Sequence, residues 1–424
     1  MKKTSPYFLL VFFILLISVP GYWILRGKPS AEVSIIEGRV LGLPEKSYPT
    51  LKIALDYIQQ GKPDKALALV WDLYTGGSLQ KKLDGAATDQ FPFRIPLIKF
   101  AKAVDHQIIK MSYIMTEDDV IPADMTSDIY IMLKQDALIV PPGSFDQESL
   151  KKVDARLENY TKIASTYPNL NIYIYYLETL PFSQYHPLNK YFAKADQGQG
   201  FEYFQSKLPE NIQLASMPLG GIEGHLKNYY RTDHHWNING ILKAYNGIFD
   251  LISKGKEDFP EKLPSTSLIT FPEIEFLGSF ARKTLYPVKG DVFIGYEADF
   301  PDCVVKDQAL PGDYDFRDEY AAGNYPTTAY TDHYGAYFGS QKGLLEFICE
   351  TQTDRNILII GDSYTRPLVA LIATHYHKTY FVDLRQNNDF SLSDFTENHT
   401  IDDLLIVSDY EVVFMDTDQW MIEP

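Results

Sequence analysis

The chain has 424 residues, 45% of them hydrophobic, and a formal net charge of −17. That length fills one large domain or two ordinary ones, and the apolar fraction excludes a disordered chain. The acidic balance argues against a nucleic-acid-binding surface.

Lys2 and Lys3 precede an uncharged run over residues 7–25. Such a run is about long enough to cross a bilayer core of roughly 30 Å as a helix. Residues 1–28 are therefore read as a membrane anchor. A cleavable signal peptide is the alternative, although its apolar stretch is usually shorter and no A-x-A-like site follows. Either way the remaining chain is expected outside the cytoplasm. Arg26 and Lys28 balance Lys2 and Lys3, so local charge leaves orientation open. These four basic residues stand alone in the first segment, which makes the rest of the chain more acidic still.

Residues 29–90 read as a stem broken by Pro29, Gly38, Gly42, Pro44 and Pro49, followed by a helical patch entered at Pro63. The main domain spans 91–424. Residues 91–110 predict a turn and an amphipathic helix, and 129–133 and 137–140 two short strands. From Ser144, placed to cap a helix whose apolar stripe runs from Leu150 to Tyr167, the pattern becomes alternating α/β. A strand is predicted at 171–177, a helix near 196–207 and a strand near 212–215. Helix and strand in alternation imply a parallel sheet covered on both faces. Residues 255–330, rich in Pro, Gly, Asp and aromatics, read as an irregular insertion with short strands. The α/β pattern resumes with a helix near 341–350, a strand at 357–360, a helix at 366–376, and strands at 379–383 and 411–415. Two cysteines, Cys303 and Cys349, are too few for a disulfide scaffold; one disulfide and two isolated thiols are both open.

Two motifs carry chemistry. The first is YYRTDHHW at 229–236. A catalytic imidazole needs a partner on its second nitrogen, and an Asp two residues before a His supplies one from the same loop. Asn237 opens a helix, so the motif stands at a loop-to-helix junction, where a capped helix start would produce the same residues without function. Asp233, His234 and His235 are also all metal-ligand types; adjacent histidines rarely point the same way, and no metal is assigned. The second motif is ILIIGDSY at 357–364. An apolar strand ending in Gly-Asp-Ser before a helix puts Ser363 at the carboxyl edge of the sheet, beside helix N–H groups able to hold an oxyanion. Together they supply nucleophile, base and orienter. The pair His375 and His377 straddles a helix end and reads as a solvated turn.

The chain resembles the DHHW proteins and, more distantly, the alginate O-acetyltransferases, both of the SGNH-hydrolase superfamily. The resemblance rests on EGR at 37–39, FPFR at 91–94, YYRTDHHW at 229–236, LGSFARK at 277–283, YGAYFG at 334–339, ILIIGDSYTRP at 357–367 and YFVDLR at 380–385. It implies a flavodoxin-like three-layer α/β/α domain with a Ser363–His235–Asp233 triad. It places an oxyanion donor at Gly339 and puts Gln341 where many relatives carry Asn or Asp. Trp236, Tyr334 and Arg385 are expected to contact substrate, the two aromatics by stacking on sugar rings. The implied activity is transfer or hydrolysis of acyl groups on an extracytoplasmic polysaccharide, with no cofactor. The acyl group would come from a membrane-bound O-acyltransferase partner. A glycan-binding or assembly protein that keeps the fold is the alternative.

Overall fold

The computed structural model describes residues 33–34, 39–40, 57–60, 62, 65, 94–114, 118–263, 266–298, 300–306, 330–339, 343–417 and 419–424. The apolar run at 7–25 lies outside them, as does nearly all of the stem and of the helical patch entered at Pro63. Among the described residues no helix is long and apolar enough to cross a membrane. The chain divides into two units, residues 1–105 and 106–424. In the first, strands β1 (Val33–Ser34) and β2 (Arg39–Val40) pair antiparallel. The division falls within helix α1 (Arg94–Tyr113).

The second unit opens with β3 (Val120–Pro122), β4 (Tyr130–Met132) and β5 (Ala137–Ile139), a small antiparallel sheet. It continues with α2 (Gln147–Thr166), β6 (Asn171–Leu177), α3 (Gln199–Lys207), β7 (Ile212–Met217), α4 (Gly221–Asn228) and α5 (Ile238–Ile252). Next come β8 (Thr266–Phe276), α6 (Ser279–Thr284), β9 (Asp291–Ala298), β10 (Cys303–Lys306), α7 (His333–Phe338) and β11 (Leu344–Cys349). The last elements are β12 (Asn356–Gly361), α8 (Arg366–Ala373), β13 (Lys378–Val382), α9 (Leu392–Asn398), β14 (Asp403–Ser408) and α10 (Tyr410–Phe414).

The main sheet has the order β10-β11-β13-β12-β14-β6-β7. From β13 to β7 every neighbour is parallel, while β10 and β11 add an antiparallel edge. The strands are apolar on both faces because both faces are covered. In β6, Tyr173, Tyr175 and Leu177 enter one core with α5 and α8, and Ile172, Ile174 and Tyr176 enter a second with α2, α3, α9 and α10. β12 and β14 alternate the same way, Ile357, Ile359 and Leu405 against Leu358, Ile360 and Leu404. A third, smaller core joins Ile109, the β3–β5 sheet and Ala281 of α6.

Four expectations are corrected. Helix α2 is capped by Asp146, whose carboxylate accepts the N–H groups of Glu148 and Ser149, and not by Ser144, which bridges to Ala195. Residues 344–349 are a strand: Leu345, Phe347 and Cys349 point inward from a strand paired with both β10 and β13, and six apolar-rich residues fit either period until a partner decides. The last strand is 403–408, fully buried, and 410–414 is a helix packed behind it. The insertion is more regular than expected, since β8 runs eleven residues and pairs with β9. Cys303 and Cys349 lie directly opposite each other on β10 and β11 and form a disulfide.

Candidate active site

The DHHW loop leaves α4 and enters α5, pinned at both ends. Tyr229 and Trp236 bridge across it, and Asn237 caps α5 by accepting the N–H groups of Asn239 and Gly240. Within the loop Asp233 is buried. Its Oδ1 accepts the backbone N–H of His235 at 2.9 Å and the ring Nδ1 of His235 at 2.7 Å, and its Oδ2 accepts the N–H of Ser279 at 2.5 Å. Gly278 permits that approach, because a Cβ there would stand 2.3 Å from the Asp233 carboxylate. Burial alone would raise the Asp233 pKa, but His234 and His235 and these N–H donors outweigh it and hold the carboxyl well below its usual range. An ionised carboxylate 2.7 Å from Nδ1 requires the proton on Nδ1. The lone pair of neutral His235 is then on Nε2, which is buried and has no hydrogen-bond partner.

The second motif leaves the carboxyl end of β12. Gly361 fits because a Cβ would meet Thr365 Oγ1 at 2.0 Å and the carbonyl of Val407 at 2.6 Å. Asp362 Oδ1 accepts the Tyr364 N–H at 2.9 Å, which tightens the turn and leaves Ser363 half-buried at its apex. Two tyrosines join the motifs. The ring of Tyr334 stacks on His235, centroids 4.0 Å apart and planes at 13°, while its hydroxyl donates to the Ser363 carbonyl at 3.0 Å and accepts from Trp236 Nε1 at 3.1 Å. The Tyr364 hydroxyl donates to the His234 carbonyl at 2.7 Å. Ser363 and His235 line one cavity without a hydrogen bond between them.

Two cavities open at Ser363. One, of about 440 Å³, has apolar walls from Leu138, Pro141, Leu180, Phe182, Val412 and Trp420. The other, of about 720 Å³, is lined by His235, Tyr334, Arg282, Arg366 and Arg385. Asp233, His234, Ser363 and Arg385 border both.

Several expected site residues take other places. Trp236 is fully buried and cannot stack on a sugar; it donates to Tyr334. Tyr334 is 2% exposed and serves as the platform under His235. Arg385 clasps buried Asp383 through Nε at 3.0 Å and Nη2 at 2.8 Å, lies over Trp420, and faces both cavities. Gly339 borders the larger cavity with a φ of 94°. Gln341 lies outside the described residues. His375 is buried, not solvated, and pairs its Nε2 with the Tyr245 hydroxyl at 2.8 Å. His234 keeps one edge in solvent and sets Nδ1 2.8 Å from Ser279 Oγ; burial of the rest of the ring, then His235, lower its pKa to about 4. Asp233, His234 and His235 offer ligand atoms within 4.8 Å of one another, but the Asp233 oxygens already accept three N–H groups, with which a cation would compete.

Sequence reasoning passed over Gly278, Ser279, Tyr364 and Asp409. The first two sit inside LGSFARK, a motif quoted only for its resemblance, whose physical role is to hold Asp233. Asp409 follows β14, the strand placed wrongly. It faces the smaller cavity beside Asp362, and burial together with the Asp362 charge pushes its carboxyl well up. Burial raises Asp362 as well, against the pull of Arg385.

No family model and no curated protein matches the chain. Solved structures do. Bacillus cereus PatB1 with a sulfonyl adduct superposes with a TM-score of 0.54 at 17% identity, over 68% of this chain and 97% of that one. A DHHW family protein from Eubacterium siraeum has a TM-score of 0.48 at 18% identity, over 71% and 93% of the two chains. The O-acetyltransferase domain of Pseudomonas putida AlgJ has a TM-score of 0.38 at 7% identity, over 69% and 91%. At 17% identity the likeness to PatB1 is one of fold.

Proposed function

We propose that this protein is an extracytoplasmic acyltransferase or esterase with a flavodoxin-like SGNH-hydrolase domain. It acts on O-acyl groups, foremost acetyl, of a cell-surface or exported polysaccharide. One observation carries the reading: ionised Asp233 holds the Nδ1–H of His235 at 2.7 Å, leaving a buried Nε2 without a partner on a residue that lines one cavity with Ser363. That is the arrangement nucleophilic catalysis needs of a base.

In this reading Ser363 Oγ attacks the acyl carbonyl as His235 Nε2 takes its proton. The imidazolium, stabilised by Asp233, returns the proton to the departing alcohol, and an acyl-serine remains. Nε2 then deprotonates a sugar hydroxyl or a water, whose oxygen attacks the acyl carbonyl; the acyl–Oγ bond breaks and the imidazolium returns the proton to Ser363 Oγ. The Ser363 backbone N–H at the β12–α8 turn, where the Tyr364 and Thr365 N–H groups are bonded to Asp362, and a backbone N–H at Gly339 would hold the oxyanion, with Gln341 as a further donor by resemblance. The Cys303–Cys349 disulfide supports an oxidising, extracytoplasmic setting. The run at 7–25 would tether the protein to the membrane or direct its export, and a membrane-bound O-acyltransferase would supply the acyl group. PatB1, of similar fold, was solved with a sulfonyl adduct, and an activated serine hydroxyl is a group that sulfonyl reagents modify.

The test is to treat the full-length chain with a sulfonyl fluoride and map the adduct by peptide mass spectrometry. Modification of Ser363 that disappears in His235→Ala is expected. An unmodified Ser363 in folded protein would favour the glycan-binding or assembly reading.

A further inference from the structure

Helix α1 is apolar on two sides, and only one of them is covered. His106 Nε2 donates to the Thr284 carbonyl at 3.2 Å, and its ring lies 4.9 Å from that of Tyr286. Ile109 is buried in the third core, with Tyr113 packed against it. These contacts fix the helix and turn its opposite side outward. On that side stand Leu97, Phe100, Val104, Ile108 and Met111, which are 41 to 69% exposed. At 3.6 residues per turn, spacings of three and four keep all five within about 80° of arc. Ile114, just past the helix, is exposed as well. A continuous apolar stripe of this kind marks an interaction surface, unlike apolar residues scattered singly over a surface.

Charge narrows the choice of partner. α1 carries Arg94, Lys99, Lys102 and Lys110 against one acid, Asp105, in a chain whose net charge is −17. Lys99 and Lys110 are exposed along one side of the stripe, and Asp105 is half-buried. Long basic side chains beside a stripe of Leu, Phe and Ile suit a helix lying in a bilayer interface. The stripe then sits among acyl chains and the ammonium groups reach anionic headgroups. A second copy of the chain fits less well, because a two-fold pairing of the stripes would bring the same basic flanks together.

We propose that α1 is a membrane-surface helix whose exposed stripe enters a bilayer interface containing anionic lipid. The inference is independent of the catalytic reading. It adds a second membrane contact to the tether suggested by the uncharged run at 7–25, which precedes α1 in the chain and would hold it beside a bilayer.

The experiment reconstitutes the full-length chain into phosphatidylcholine vesicles with or without phosphatidylglycerol. Both native cysteines are held in the disulfide, so a nitroxide can be placed on Phe100→Cys, on Met111→Cys or, as a control on α2, on Lys151→Cys. All three side chains are exposed, so the fold should survive, which thermal unfolding checks. With phosphatidylglycerol, the ratio of oxygen collisions to collisions with a water-soluble nickel chelate should be about tenfold higher at 100 and 111 than at 151. Leaving out phosphatidylglycerol, or combining Lys99→Glu with Lys110→Glu, should cut that difference severalfold. Equal ratios at all three positions in folded protein, or a difference indifferent to both charge changes, would overturn the proposal. So would spin–spin broadening that vanishes on dilution with unlabelled chain, which would assign the stripe to a second copy. The tether is read separately. Chain that keeps residues 7–25 and floats with vesicles while its stripe stays in water sinks this proposal alone. Chain cleaved after residue 25 whose stripe is still immersed sinks the tether alone.

Discussion

The two ends of the parallel sheet treat buried charge in opposite ways. At the amino end, Asp403 opens β14 with no solvent exposure. Its Oδ1 accepts from Arg355 at 2.7 Å and Asn171 at 2.8 Å, and its Oδ2 from Lys256 at 2.6 Å and Tyr376 at 2.7 Å. Four donors, two of them cations, saturate one carboxylate, and the cluster ties β6, β12, β14 and the loops after α5 and α8. At the carboxyl end the groups are left wanting. His235 Nε2 and His225 Nδ1 are buried without partners, and Asp362 and Asp409 crowd each other. A saturated network holds a sheet together, whereas chemistry needs groups whose last bond waits for substrate. The carboxyl end is the one that gives up stability to keep those groups available.

Breaking each end should therefore give opposite signatures. Ser363→Ala and His235→Ala should each cut aryl-acetate hydrolysis by about 10⁵-fold, with the double variant no worse, because nucleophile and base act as a unit. Their unfolding free energies, read by urea titration, should stay within about 1 kcal/mol of the parent. Asp403→Asn should reverse the pattern. It leaves Lys256 and Arg355 facing an uncharged amide, at a cost of about 3 kcal/mol, discounted because the Arg355 side chain is 31% exposed. The folded fraction should keep its acyl chemistry, and activity lost in step with Ser363→Ala would erase the distinction.

Gly278→Ala tests the support of the carboxyl end. Its Cβ would collide with Asp233, and a displaced orienter should lower hydrolysis by about 10²-fold. His234→Ala should cost less than tenfold, well under the loss from His235→Ala. Equal damage from the two histidines would move the base assignment to a paired-histidine or metal site.

The smallest effect concerns pH. Burial lowers His375 from 6.5 to about 4, so the folded chain keeps it neutral while the unfolded chain protonates it. Its contribution is present above pH 6.5 and is lost as pH falls toward 4. The slope is at most about 1.4 kcal/mol per pH unit. His375→Gln should flatten the stability curve between pH 6.5 and 4, and an unchanged curve would show that His375 is protonated in the folded state.

Much of this was legible where local pattern and tertiary need agree. NIYIYYL and NILIIG are apolar on both faces and become central parallel strands. Asp233 and His235 are two residues apart, so their pairing follows from one loop. Short strands late in the chain were harder. LLEFIC fits a helix or a strand until β13 pairs with it, and 403–408 was missed although it lies at the center of the sheet. Trp236 and Tyr334 were read as sugar platforms because aromatic composition says nothing of depth, and both prove buried.

The sequence by itself determined the α/β alternation, the Gly-Asp-Ser turn at a strand end and the Asp-x-His spacing, since each depends on residues within one turn or one strand. Only the tertiary structure decided that the two motifs share a cavity, that LGSFARK shapes the seat of Asp233, and that three arginines from α6, α8 and the end of β13 line one wall. Those facts join residues up to more than a hundred positions apart, and their proximity is set by strand order and packing, which no local pattern encodes.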